Sequence, residues 1–273
     1  MLRAAGRRAL GPLDRCSHCE TMRAVAVEIE IGLPGGGRLH GAVARPGAGG
    51  SRSGVVVIHE VFGDQPEMRA VCDRFAARGY VAVMPDLFSA GGRRAICLAR
   101  AMTELSSGRP GRVTGYIEAA RAWLAAQTDV DGERIAVIGF CMGGGFALLY
   151  LAGGRPGVRV AAVNYGQVPK QPAALRGACP IVASYGARDR VVGRRGATRL
   201  RHHLEQLGIE HDVKLYPEAG HCFMTDGHHP LGKLIYLPLR IGYVHDAAED
   251  AGQRVFEFFD SHLQPAPVAG IAS

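Results

Sequence analysis

Lysine and tryptophan are scarce in this chain. Three lysines (Lys170, Lys214, Lys233) stand beside 29 arginines, and there is one tryptophan in 273 residues. Basic residues are nowhere massed, the densest groups being the pairs Arg7-Arg8, Arg93-Arg94 and Arg194-Arg195. A nucleic-acid reader gathers its positive charge on one element, so the formal charge of +7 does not argue for nucleic acid as a partner. Residues 1–53 hold eight arginines against four acids, while the remaining 220 hold 24 basic and 21 acidic residues. The charge excess therefore belongs largely to the N-terminal part, and the arginine-for-lysine skew fits codon bias better than phosphate recognition.

Other absences exclude further classes. No apolar stretch of about 7–15 residues follows the basic start, so a secretory signal is not expected. The stretch 1–23 reads as a tail, with Met22 as an alternative start. Cys16 and Cys19 lack the second ligand pair of a structural zinc site and follow no strand as a redox motif would. No metal and no cofactor are expected. Between Arg134 and Arg155 lie twenty uncharged residues, enough to span a bilayer. Glycines interrupt them, three in a row at Gly143-Gly144-Gly145, so they read instead as a buried strand, a tight turn and a buried helix.

What is present alternates regularly. Ala24–Gly32 and Leu39–Ala44 read as an antiparallel pair around the turn at Pro34–Gly37. Buried strands follow at Val55–Ile58, Val81–Met84, Ile135–Ile138, Val160–Val163, Ile181–Tyr185 and Asp212–Tyr216. Helical spacing marks Met68, Val71, Cys72, Phe75 and Ala76, with Gly79 as the C-terminal stop. It also marks Ala95–Leu105, Val113–Ala126, Phe146–Leu151, Ala197–Leu207 and Ala247–Leu263. Such alternation means a mostly parallel sheet covered on both faces. One doubly wound α/β domain over 24–273 is the expectation.

In such sheets ligands meet the carboxyl ends of the strands. The strand Ile135–Ile138 runs into Gly139-Phe140-Cys141-Met142-Gly143, a G-x-S-x-G nucleophile elbow with sulfur in place of oxygen. A cysteine at a helix N-terminus is favoured as thiolate by the free N–H groups and the helix dipole; the alternative is a structural cysteine beside a glycine turn. Asp189 follows the strand ending at Tyr185, and could instead be a surface acid paired with Arg188 or Arg190. His221 follows the strand ending at Tyr216. Cys141, Asp189 48 residues on and His221 32 further on keep the nucleophile–acid–base order of α/β-hydrolases.

Several segments together resemble the dienelactone hydrolase family: Val55–Gly63 with His59-Glu60, Gly79-Tyr80, Met84–Phe88, Gly139–Gly144, Gly186–Asp189 and Gly220–Phe223. The resemblance runs from about Ala24 to Leu263. It implies an α/β-hydrolase fold and hydrolysis of small carboxylic esters or lactones through a thioester, with Glu60 taking part in deprotonating the thiol. The backbone N–H groups of Val61 and Met142 would form the oxyanion hole. Glu60 has an alternative role as an acid capping the helix near Pro66. The family arginine four residues past the histidine is replaced by Thr225, so Arg93 and Arg94 become the candidates for holding a substrate anion. The segment 225–243, with His228, His229 and Pro230, reads as a divergent insertion whose histidines need not hold metal. A thioesterase or other acyl hydrolase, or a non-catalytic binding protein on the same fold, is the alternative. A reduced nucleophile implies a cytoplasmic enzyme, monomeric or a small homo-oligomer, without membrane or nucleic-acid partners. Cys72 and Cys97 read as helix-packing residues and Cys179 as a loop or strand-edge one.

Overall fold

The computed structural model describes residues 25–47, 49–225 and 242–264. The tail with Cys16, Cys19 and Met22, and the histidines His228 and His229, lie outside the described residues. Eight strands form one sheet: β1 (Val27–Gly32), β2 (Arg38–Ala44), β3 (Arg52–Ile58), β4 (Val81–Pro85), β5 (Val130–Phe140), β6 (Val158–Asn164), β7 (Ile181–Gly186) and β8 (His211–Tyr216). Their order is β1-β2-β4-β3-β5-β6-β7-β8. β1 and β2 pair antiparallel, as does β2 with β4, and every pairing from β4 onward to β8 is parallel.

Among the described residues the helices are α1 (Pro66–Ala77), α2 (Arg94–Ser107), α3 (Arg112–Ala125), α4 (Met142–Leu151), α5 (Gly193–Leu207) and α6 (His245–His262), with a short 3₁₀ turn at Pro172–Leu175. Successive strand residues divide between two cores, as the period of two requires. Val56, Ile58, Val83, Ile135 and Val137 pack with α2–α5. Val55, Val57, Met84, Ala136 and Ile138 pack with α1 and α6. Both faces being covered explains why these strands are apolar throughout rather than alternating. α1 buries Met68, Val71, Cys72, Phe75 and Ala76, the stripe expected from the spacing. Gly79 follows it at φ 92°, a left-handed stop.

Some boundaries differ from the sequence reading. β5 begins at Val130, five residues early: Val130 pairs with Arg52 of β3 and Ile135 with Gly54, while Asp131–Arg134 between them, across a register shift, carry no apolar signal. α4 begins at Met142, so the three glycines form its first turn rather than a loop before it. Packing demands them there: a Cβ on Gly143 would stand 2.2 Å from the carbonyl oxygen of Ile58. The twenty-residue uncharged run thus resolves into the end of β5 and a ten-residue helix. Among the described residues no helix is long and apolar enough to cross a membrane.

Candidate active site

Four loops at the carboxyl ends of β3, β5, β7 and β8 meet beside one cavity of about 450 Å³. The β5 loop is the sharpest. Cys141 caps the N-terminus of α4 at φ 53° and ψ −116°, a left-handed conformation that side chains rarely adopt and that costs on the order of 1–3 kcal/mol. Its N–H is held by the carbonyl of Asn164 at 3.0 Å, and its carbonyl accepts from Gly145 N–H. The flanking glycines are required by close approach: a Cβ on Gly139 would lie 2.2 Å from the Gly143 carbonyl oxygen. The turn presents the sulfur to the cavity at the free end of a helix.

His221 Nε2 lies 3.1 Å from Cys141 Sγ, and its Nδ1 lies 2.9 Å from Asp189 Oδ2. Asp189 is fixed in turn by the N–H groups of Val191 and Val192, which donate to Oδ1 at 2.6 and 3.1 Å. Neighbouring Arg188 pairs with Glu218 on the His221 loop. Asp189 therefore has its histidine, and the surface alternative with Arg188 does not occur. The Tyr165 ring meets His221 edge-on at 5.3 Å.

The charges are shared across this line. Burial alone would lower the His221 imidazole, but hydrogen bonds to Asp189 and Cys141 outweigh it and carry it up to about 10. The Cys141 thiol is held well below its ordinary range, chiefly by a hydrogen bond from Cys222, with His221 and the Met142 N–H adding to it against the cost of burial. The direction favours a thiolate–imidazolium pair. Cys222 moves the other way, its thiol raised by its contact with Cys141 and by burial.

Glu60 closes the other side. It sits beyond β3, buried at 6% exposure. Its Oε1 accepts from Thr225 Oγ1 at 2.8 Å and Tyr165 Oη at 3.2 Å. Burial and the negative Cys141 push its carboxyl up to about 7, the two hydroxyl donors holding it from rising further. It does not cap α1, whose N-cap is Gln65 with no side-chain bond. The loop is aimed by buried His59. Its Nε2 accepts from Leu87 N–H at 3.0 Å, so Nδ1 carries the proton and donates to the Glu60 carbonyl at 2.7 Å. Burial, which lowers its pKa, keeps this imidazole neutral.

Val61 and Met142 both line the cavity beside Cys141 and His221, the first from the β3 loop and the second at the first position of α4. Arg93 and Arg94 do not line it. Arg94 lies over the Phe88 ring at 5.5 Å. The arginines that line the cavity are Arg195 and Arg199 of α5, alongside apolar Met102, Leu105 and Val168. Sequence reasoning gave no site role to Tyr165 or these two arginines, and noted the positions of Thr225 and Cys222 without their contacts to Glu60 and Cys141. Tyr165 and Cys222 do carry a local signal in the structure, being two of the three non-glycine residues with positive φ among the described residues, with Cys141 the third. Among the described residues, Cys141, His221 and Cys222 are the one group whose donor atoms could together hold a metal ion.

The profile of the dienelactone hydrolase family matches residues 39–263. A Salmonella typhimurium protein named "Putative carboxymethylenebutenolidase" is 28% identical over 230 residues, covering 79% of this chain and 80% of that protein. A protein of the same name from Escherichia coli K12 is 28% identical over 221 residues, covering 76% of each. Among solved structures, a dienelactone hydrolase of Klebsiella pneumoniae, described as putative in its own name, superposes with a TM-score of 0.69 at 26% identity. That match covers 86% of this chain and 98% of the other.

Proposed function

The chain belongs to the dienelactone hydrolase family, and from that premise we propose that it hydrolyses small carboxylic esters or lactones with Cys141 as nucleophile, His221 as acid–base and Asp189 as its orienting acid. The observation that carries this reading is the unbroken line Asp189 Oδ2, His221 Nδ1, His221 Nε2, Cys141 Sγ, at 2.9 and 3.1 Å, on a strained elbow facing a cavity.

The Cys141 thiolate attacks the carbonyl carbon, and the developing oxyanion is met by the N–H groups of Val61 and Met142, one from an earlier strand's loop and one following the nucleophile. His221 passes its proton to the departing alkoxide or enolate, leaving a thioester on Cys141. Water, losing a proton to His221, attacks that thioester and frees the acid and the thiolate. Glu60, its carboxyl near neutrality, takes part in deprotonating the Cys141 thiol before attack. A nucleophile that works as a thiolate needs reducing surroundings, in line with a cytoplasmic enzyme. No resident metal or cofactor is required for these steps.

The test is turnover of p-nitrophenyl acetate and of a dienelactone by wild type and Cys141→Ala, with mass spectrometry of the quenched enzyme. We expect turnover to vanish in the variant and an acyl adduct to appear on Cys141 in the wild type. Retained turnover by Cys141→Ala would overturn the assignment. Preference for thioesters over oxygen esters in the same panel would favour the thioesterase alternative.

A further inference from the structure

Cys222 takes no step of its own in the hydrolytic scheme, although its contact with Cys141 holds that thiol low. It follows His221 directly, is 7% exposed, and holds φ at 55°, a conformation with its own steric cost. Cys141 Sγ, a ring nitrogen of His221 and Cys222 Sγ all lie within 4.8 Å of one another.

We propose that Cys141, His221 and Cys222 form a binding site for a thiophilic divalent cation of the Zn²⁺ type. Two thiolates and one imidazole are the donor set of a three-ligand zinc site with an open fourth position. Zn–S of about 2.3 Å and Zn–N of about 2.0–2.1 Å set tetrahedral N···S and S···S separations of roughly 3.6 and 3.8 Å. The 3.1 Å between His221 Nε2 and Cys141 Sγ needs to open by only about half an ångström, which a rotation of either side chain supplies. The histidine is already oriented as zinc ligands are, its other nitrogen held by the Asp189 carboxylate at 2.9 Å. The fourth position falls to water from the cavity that Cys141 and His221 line. Soft sulfur donors select Zn²⁺, Cd²⁺ or Co²⁺ against Mg²⁺ and Ca²⁺. On binding, any proton on the three donor atoms passes to solvent as the S–metal and N–metal bonds form.

Binding does not depend on the hydrolase reading, whereas its consequence does. A cation on Cys141 Sγ and His221 Nε2 occupies the electron pairs that the nucleophile and base use, so hydrolysis stops until the metal is withdrawn.

The site is tested by titrating the reduced full chain with Co²⁺ and following absorbance. One equivalent should produce the thiolate-to-cobalt charge-transfer band and the intense visible bands of four-coordinate Co²⁺, both erased by Zn²⁺. Cys222→Ser and Cys141→Ser should each weaken binding at least about tenfold, a loss of roughly 1.4 kcal/mol or more, and remove most of the band. Wild type alkylated at Cys141 keeps its native chain and should lose the band too, which guards against a misfolded serine variant. The Cys16→Ser/Cys19→Ser double variant should keep it. In parallel, Zn²⁺ should inhibit ester turnover reversibly, chelator restoring it, while Mg²⁺ at the same concentration has no effect. No charge-transfer band in the wild type would overturn the site, as would a band that follows Cys16 and Cys19 or survives Cys222→Ser unchanged. A band in the loaded protein, with no turnover of any ester or lactone by the metal-free protein, would uphold the metal site and sink the hydrolase reading.

Discussion

Thr225 donates its hydroxyl to Glu60 Oε1 at 2.8 Å. A neutral donor thus stands where the sequence resemblance would have put an arginine directed at substrate, and it acts inward on the protein's own carboxyl. Removing it with Thr225→Val takes away a stabiliser of the Glu60 carboxylate, so the Glu60 pKa should rise. A hydrogen bond to a charged group is worth about 1.5–3 kcal/mol, so a shift on the order of one to two pH units is expected. The readout is the pH profile of kcat/KM: an inflection near 7 in the wild type that moves alkaline in Thr225→Val.

Glu60→Gln should erase that inflection and change stability with a definite sign. Burial raises the folded carboxyl's pKa to about 7 from 4.5, so the native state binds the proton more tightly than the unfolded chain. Stability from this group is therefore full below the unfolded value and is lost as pH climbs from about 4.5 to 7. A neutral glutamine avoids the loss. Thermal unfolding above pH 7 should show Glu60→Gln at least as stable as wild type, with a flatter dependence between those limits.

The lowered Cys141 thiol predicts alkylation that is nearly independent of pH across the neutral range. An unshifted thiol with a pKa of about 8.5 would react roughly two hundredfold faster at pH 9 than at pH 6. Iodoacetamide kinetics read by mass spectrometry should instead show less than about a tenfold change at Cys141, while Cys72, whose thiol burial pushes up and out of reach, stays unmodified.

Asp189→Asn keeps the size of the side chain but replaces the carboxylate that holds His221 Nδ1. The imidazole loses both its fixed tautomer and the charge that supports its protonated form. A fall in kcat of about 10³- to 10⁴-fold is expected in ester hydrolysis, with KM little changed. The alkylation rate of Cys141 at pH 6 should drop as the ion pair weakens.

Gly143→Ala tests the packing beneath the elbow. Its Cβ would lie 2.2 Å from the Ile58 carbonyl oxygen and 2.6 Å from that of His59. Both contacts are backbone and cannot swing away, so a loss of about 1–3 kcal/mol or more is expected in chemical denaturation. Activity should fall further than stability, because the same displacement moves Cys141 against the β3 loop.

The reach of sequence reading varied from element to element. The α1 stripe was legible because one face of a helix repeats every 3.6 residues and nothing else competes there. The Cys141, Asp189 and His221 positions were legible because each follows a strand by one short turn, and a parallel sheet brings all such turns to one edge. The beginning of β5 was not, since Val130 is set against Arg52 across a register shift that the polar stretch Asp131–Arg134 does not announce. The placement of Arg93 and Arg94 away from the cavity was equally hidden. Long side chains in a loop can point either way, and Arg94 turns onto Phe88.

By itself, the sequence determined the order of strands and helices, the glycine-flanked cysteine and the three residues of the candidate triad, since these are local features with short-range causes. Only the tertiary structure decided who surrounds them. Thr225 and Tyr165 reach Glu60 across 165 and 105 residues of chain. Cys222 meets Cys141 only because β5 and β8 end at the same edge of the sheet, and the charges of Glu60 and His221 are set by burial and neighbours that no spacing encodes.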